Sequence, residues 1–200
     1  MRGTRVCIRP HALAANLELA RRKADGARVV AMVKANGYGH GLLPSARAFA
    51  NADWLGVAVV DEARALRAAG IHTPLLIAEG FSDADELREL AMLGEVACVV
   101  HAPWQVDLLI AQPQLQSQSL EVWLKLDSGM HRLGMTVAEL EHQYQRLRAL
   151  PGVSVTTVMT HLACADKPND GLSERQISTC HALATKLGLA ASIANSAALL

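Results

Sequence analysis

The sequence predicts an α/β fold, a (β/α)8 barrel of TIM type that is incomplete, with about seven of its eight strands. Two observations carry this. Short apolar runs alternate with helical patterns that hold their own start and stop residues, as in a parallel barrel rather than a sandwich or a bundle. Residues able to do chemistry also fall just after several of the apolar runs, where strands of such a barrel open onto its working face. The strand candidates are Val29–Val33, Leu55–Val59, Leu75–Ala78, Val96–Val100, Val122–Leu126, Val153–Thr160 and Ala190–Ala194.

The helices between them can be read from their ends. Pro10 opens the first, with Leu13, Leu17 and Ala20 on one face. Asp61 caps the next and Gly70 ends it. Ser82 with Asp85, Thr136 with Glu139, and Ser173 with Gln176 stand at capping-box spacing, and Gly94 and Gly188 stop the first and third of those helices. Gln112–Ser119 reads as a polar surface loop, and Lys167–Gly171 as a mobile turn before the last helix. Neither resembles a linker, so residues 1–200 are expected to form one domain.

Composition narrows the function classes. Of 200 residues, 51% are hydrophobic and 19% charged, enough to bury a substantial core of Ala, Leu and Val. Nineteen basic residues balance nineteen acidic ones, so no net field favours nucleic acid or an anionic membrane. Small molecules or a second copy are the expected partners. Cys7, Cys98, Cys164 and Cys180 show no CxxC spacing, which points to reduced thiols in a cytoplasmic setting, each a small core residue. Arg9, His11, Asn16 and Glu18 interrupt any leader-like apolar run, and no stretch is long enough to span a bilayer.

Lys34 is the residue that asks for an explanation. It closes the run Val29–Val33 and leads straight into Gly37, Tyr38, Gly39, His40 and Gly41. A lysine amine becomes a nucleophile only when its charge is suppressed, by burial or by covalent bonding to an aldehyde such as that of pyridoxal phosphate. The glycines free the backbone to approach a phosphate, and the Tyr38 phenol can donate to it. Taken alone the turn is weak evidence, because a strand-to-helix loop whose lysine reaches back to water has the same sequence.

Other segments agree with it as a set. Val122–Met135, the turn at Lys34, Met159–Asp166 and Ala194–Ala198 together resemble the alanine racemases, which interconvert L- and D-alanine with pyridoxal 5'-phosphate. By that resemblance Lys34 bonds the cofactor and moves the Cα proton on one face, while Tyr38 and Ser196 hold the phosphate and Asn195 belongs to the same cofactor-binding set. Arg132 would meet the cofactor's phenolic oxygen and the substrate carboxylate, and His161 would lie against the ring. Lys125 matches a lysine that is often carbamylated in the family, an anion that would orient Arg132. The bland alternatives are a core tyrosine, an exposed serine, a surface salt bridge for Arg132, a solvent-facing Lys125 and a hydrogen-bonded core histidine. His161 and Cys164 lack a second pair for zinc, so no metal is expected.

The resemblance further implies a cytoplasmic homodimer that supplies D-alanine for peptidoglycan. It also implies a last barrel strand, a β-rich C-terminal domain and a tyrosine base from the other subunit, which would follow residue 200. The only tyrosines here are Tyr38 and Tyr144, so the chain is expected to racemise alanine weakly or not at all. Gly37 stands where the family usually has alanine, which is expected to loosen the turn slightly. Two other readings remain: a non-catalytic single-domain protein that binds pyridoxal phosphate for its homeostasis, and an inactive structural fragment with open sheet edges.

Overall fold

The computed structural model describes residues 3, 5–113, 119–167 and 170–200. Parts of the two loops expected at Gln112–Ser119 and Lys167–Gly171, residues 114–118 and 168–169, lie outside the described residues. Helix α1 (Pro10–Lys23) precedes β1 (Val30–Met32), which runs into a single left-handed turn, α2 (Lys34–Tyr38), and then α3 (Leu42–Ala48). Four βα units follow: β2 (Trp54–Val57) with α4 (Val60–Ala68), β3 (Leu75–Ile77) with α5 (Ala84–Met92), β4 (Val96–Val100) with α6 (Pro103–Ile110), and β5 (Leu120–Lys125) with α7 (Val137–Leu147). The chain then forms β6 (Val153–Met159), α8 (Leu172–Leu187), β7 (Ala190–Ser192) and the short α9 (Ser196–Leu199).

Among the described residues, seven strands pair in sequence order, every pair parallel, as expected of a partial TIM barrel. Both faces of the sheet are covered, so strands such as Val96–Val100 are buried at every position and read as continuous apolar runs. One face meets the helices through Leu55, Val57, Leu75, Ile77, Val122, Leu124 and Leu126. The other lines the barrel interior, where Trp54, Leu76, Ala97, Val99 and Trp123 pack together with Val30 and Met159 against them. Val30 on β1 and Met159 on β6 reach the same cluster because the sheet curls. Trp54 and Trp123 meet edge to face with ring centres 5.6 Å apart. Helix α1 lies against α9, which draws the helical layer together on the side of β1 and β7, the outer strands among the described residues.

One irregularity decides which residues face inward. Between β5 and β6 the register shifts, so that Val122 pairs with Val155 but Trp123 with Thr157. The slip at Thr156 reverses the alternation of β6, turning Thr157 and Met159 to the interior, and His161 follows in the same phase.

Several boundaries differ from the sequence expectation. Thr136 and Glu139 do form a capping box at α7, Pro10 does open α1, and Gly188 caps α8 at φ 70°. Asp61 is not a cap: Val59 holds that place, and Asp61 lies in the first turn of α4. Helix α5 is capped by Asp83 rather than Ser82, the Asp83 carboxylate accepting from the Asp85 and Glu86 amides. Helix α8 starts from Gly171 at φ 68°, so Ser173 caps nothing and Gln176 is free for another task. Cys98 and Cys180 are core residues, but Cys164 is half-buried and Cys7 exposed, because the segment before α1 lies on the surface. No helix among the described residues is long and apolar enough to cross a membrane.

Candidate active site

The candidate site residues lie at the C-terminal ends of the strands, beginning with Lys34. Its backbone is fixed on both sides. Val33 donates to the Gly56 carbonyl on β2 at 2.7 Å, and the Ala35 amide donates to the Glu62 carboxylate, also at 2.7 Å. Beyond Lys34 the chain winds left-handed through Ala35, Asn36, Gly37 and Tyr38, with φ of 51°, 55°, 61° and 52°. Gly37 adopts that region without penalty and Asn36 tolerates it, while Ala35 and Tyr38 each cost about 1–2 kcal/mol. The turn survives because it is bonded throughout. Gly37 donates to Val33 at 2.8 Å, Gly41 to Asn36 at 2.8 Å, and the Asn36 side chain accepts from Leu42 at 3.0 Å. Gly37 does not loosen the turn. It is buried, and a Cβ there would stand 2.4 Å from Ser45 Oγ, so the missing methyl is what lets α3 approach. Tyr38 leaves the turn 59% exposed, not in the core.

Lys125 ends β5 on the same face as Trp123 and is buried, 8% exposed, rather than reaching solvent. After it the chain makes a closed excursion. Met135 donates back to the Lys125 carbonyl at 2.9 Å and accepts from Asp127 at 2.9 Å, so residues 127–135 form a loop with a pinned base. Asp127 holds the inside of that loop, accepting from the amides of Gly129 and His131 at 3.0 Å each. Burial raises its carboxyl, but those amides together with the His131 ring outweigh it and hold it below the usual carboxylate range. Arg132 is exposed at the far side of the loop, and Gly134 is required where the loop returns, since a Cβ there would lie 2.5 Å from the Asp127 nitrogen.

Burial and neighbouring charges act together on several of these side chains. Burial lowers the Lys125 amine below its ordinary value, and the charges of Arg132 and then Lys34 lower it further, partly offset by Glu79. His161, half-buried after β6, is lowered by burial and then by Arg132, Lys125 and Lys34. His101, after β4, is lowered by burial and by Lys125. Exits of β1, β4, β5 and β6 therefore meet in one field that favours neutral imidazoles at physiological pH. Beside His101 a cavity of about 240 Å³ opens, walled by Phe81, Trp104 and Leu133 with Glu79 among its lining.

Asn195 and Ser196 lie after β7. Asn195 caps α9, accepting from Ala198 at 3.1 Å, and donates to the Leu162 carbonyl at 3.3 Å, which ties this exit to that of β6. Ser196 is exposed. The fold thus brings Lys34, Lys125, Arg132 and His161 into one electrostatic unit, with Tyr38 on the turn beyond Lys34 and Asn195 joined through the β6 loop. Cys180 and Cys98 lie in the outer core, where burial pushes their thiols up to about 11 and about 12.

Glu62 on α4 and Gln105 on α6 escape the sequence reading, which gives Gln176 on α8 only as a capping partner. Each of the three follows an even-numbered strand and reaches the exit of the strand before it. Gln105, wholly buried, donates to Glu79 and Phe81 at 3.2 and 3.1 Å and accepts from His101 at 2.8 Å. Gln176, also wholly buried, donates to the His161 carbonyl at 3.0 Å and to Ser128 at 3.2 Å, and accepts from Ala163 at 2.9 Å. Glu62 accepts from Ala35 and from Ala58, the latter at 2.8 Å. For Glu62 and Gln105 the sequence signal is a polar residue three places after a helix cap that lacks a hydroxyl or carboxylate of its own.

Comparison with known proteins places these features. The family model described as "Alanine racemase, N-terminal domain" matches residues 8–200. The alanine racemase of Thioalkalivibrio sulfidiphilus strain HL-EbGR7 is 46% identical over all of this chain and 55% of its own length, and that of Alcanivorax borkumensis is 48% identical with the same coverage. The chain thus spans about half the length of the curated relatives it matches. Among solved structures, alanine racemase from Acinetobacter baumannii superposes with a TM-score of 0.88 at 33% identity, covering 96% of this chain and 56% of that one. The biosynthetic alanine racemase from Pseudomonas aeruginosa gives 0.85 at 38%, covering 94% and 52%. With nearly its whole length matched by the family model, the chain belongs to the alanine racemase N-terminal domain family.

Proposed function

We propose that this chain forms the cofactor-binding barrel of an alanine racemase, and that Lys34 is both the lysine that holds pyridoxal phosphate and the base on one face of the substrate. The observation that carries the proposal is the lysine itself: its backbone is fixed on both sides, and its charge is felt by the buried Lys125 and by His161.

The donor set fits such a group. An aldehyde needs an amine at the mouth, supplied by Lys34. A phosphate needs neutral donors, which the exposed Tyr38 phenol and the Ser196 hydroxyl would supply, with Asn195 tying the β7 exit to that of β6. A phenolic oxygen and a substrate carboxylate both suit the planar, permanently charged fork of Arg132. Bound there, the cofactor supplies an electron sink that acidifies the Cα–H of an amino acid.

The remaining chemistry belongs to the protein. Lys34, freed by the incoming substrate amine, takes the Cα proton on its own face. Burial is the main reason that His161 stays uncharged, and the permanent charge of Arg132 adds to it, so the imidazole is neutral beside the cofactor site. Lys125 has an amine biased toward its neutral form, the form that adds to carbon dioxide. The product is a carbamate with release of a proton, an anion that would turn the Lys125–Arg132 repulsion into attraction. Tyr144 is spent elsewhere, donating to Leu187 in the helical layer at 3.4 Å, so the base on the opposite face is proposed to come from a second subunit. The same reading makes the whole protein a cytoplasmic homodimer that supplies D-alanine for peptidoglycan.

The test is to add pyridoxal phosphate, trap the imine with borohydride and map it by peptide mass spectrometry. The adduct is expected on Lys34 and should vanish in Lys34→Ala; an adduct that persists in that variant, or one spread over many lysines, overturns the assignment. Alanine racemisation by this chain alone is expected to be slower than by a complete enzyme by a factor on the order of 10² to 10⁴.

A further inference from the structure

The turn that presents Lys34 is held from outside by a neighbouring βα unit, and we infer that Glu62 is the positioning residue of that lysine. Its two oxygens divide the work. One accepts the Ala35 amide at 2.7 Å, immediately after Lys34, and the other accepts the Ala58 amide at 2.8 Å, just beyond β2. Glu62 therefore joins the exits of β1 and β2 through a single carboxylate. The other side of Lys34 is already part of the sheet through Val33 and Gly56. With both flanking amides held, the backbone of Lys34 is fixed and only its side chain is left to move.

The need for this clamp lies in the conformation that it holds. Ala35, Asn36 and Tyr38 adopt left-handed torsions that a free chain would leave for the right-handed region. Gly37, Asn36 and Leu42 bond the later part of the turn, but the Ala35 amide at its entrance is taken by Glu62. The carboxylate is itself located by the docking of α4, whose Val60, Ala63 and Leu66 are fully buried.

Charge and polarity explain why this clamp is a glutamate while its two counterparts are glutamines. Gln105 and Gln176 reach strand exits that offer carbonyl oxygens as well as an amide, and their side chains donate as well as accept. The exits at Glu62 offer two N–H groups, which only an acceptor on both oxygens can satisfy. An isosteric Glu62→Gln change would aim an NH₂ at one of those N–H groups and open the clamp while leaving the packing of α4 intact.

This inference rests on the reading of Lys34 as the cofactor lysine, and the experiment separates the two. Hydrogen exchange of the wild-type chain should show the Ala35 and Ala58 amides protected although neither belongs to a strand. In Glu62→Gln, exchange should quicken from Ala35 through Tyr38, and borohydride-trapped adduct at Lys34 should form about tenfold more slowly. Glu86→Gln is the matched control. Glu86 occupies the same position in α5 and accepts from Ser82 at 2.7 Å, so its loss should lower the thermal midpoint similarly without either effect at Lys34. The inference fails if Ala35 is unprotected in the wild type, if Glu62→Gln traps cofactor at the wild-type rate, or if Glu86→Gln slows trapping equally. Should the wild type form no adduct on Lys34, the cofactor reading falls, and exchange at Ala35 alone decides whether Glu62 holds the turn. Should Glu62→Gln not fold, Glu62→Asp, too short to reach both amides, serves the same comparison.

Discussion

Two histidines illustrate how position sets chemistry at the level of single residues. His161 and His101 both have folded-state pKa values below the ordinary 6.5, because burial and nearby cations disfavour the proton. Well above pH 6.5 both are neutral folded or unfolded, and they contribute nothing to the pH dependence of stability. As pH falls below 6.5 the unfolded chain binds protons first, so stability drops until the folded pKa is passed. Thermal midpoints measured from about pH 7 to about pH 5 should therefore decline, and His161→Gln should flatten part of that decline. An unchanged slope would mean that neither burial nor the cations hold this imidazole below its ordinary value. Lys125 follows the same sign at the alkaline end: its folded pKa lies below 10.5, so stability gains as pH rises toward that value.

At the scale of elements, the mouth depends on how helices begin. Thr136 and Glu139 satisfy each other's amides at 3.3 and 2.9 Å where α7 follows the Arg132 loop. Thr136→Ala should cost about 1 kcal/mol, read as a fall of about 2–4 °C in the thermal midpoint. A midpoint within 0.5 °C of the parent, on the order of measurement error, would show the box to be redundant. The capping box is legible in the sequence because its partners are three residues apart. The shift from Ser82 to Asp83 at α5 is not, since both residue types cap and only the backbone angles choose between them. The Gln176 side chain is the same case in stronger form: its spacing from Ser173 suggests a cap, but its partners, Ser128, His161 and Ala163, come from the β5 and β6 loops.

For the whole molecule, the order of the sheet predicts where it opens. Strands β4 and β5 have neighbours on both sides and helices over one face, while β1 and β7 are outermost among the described residues and β7 is largely exposed. Native-state hydrogen exchange should be slowest in β4 and β5 and fastest in β7, with β1 intermediate because Val33 and the Glu62 clamp secure its end. Uniform protection across all seven strands would mean that the edges are covered in solution.

Strand–helix alternation, the seven strands and their parallel pairing follow from local apolar periodicity and from start and stop residues, which act within a few positions of one another. So does the place of Lys34, since a lysine closing an apolar strand stands out in any context. Tertiary structure alone decided the rest. The left-handed course of Ala35–Tyr38 is stabilised by a carboxylate 27 residues from Ala35. The inward face of β6 depends on a slip against β5. The suppressed charges of Lys125 and His161 come from side chains that meet only once the sheet curls. Each depends on groups far apart in the chain, whose distances a linear sequence does not contain.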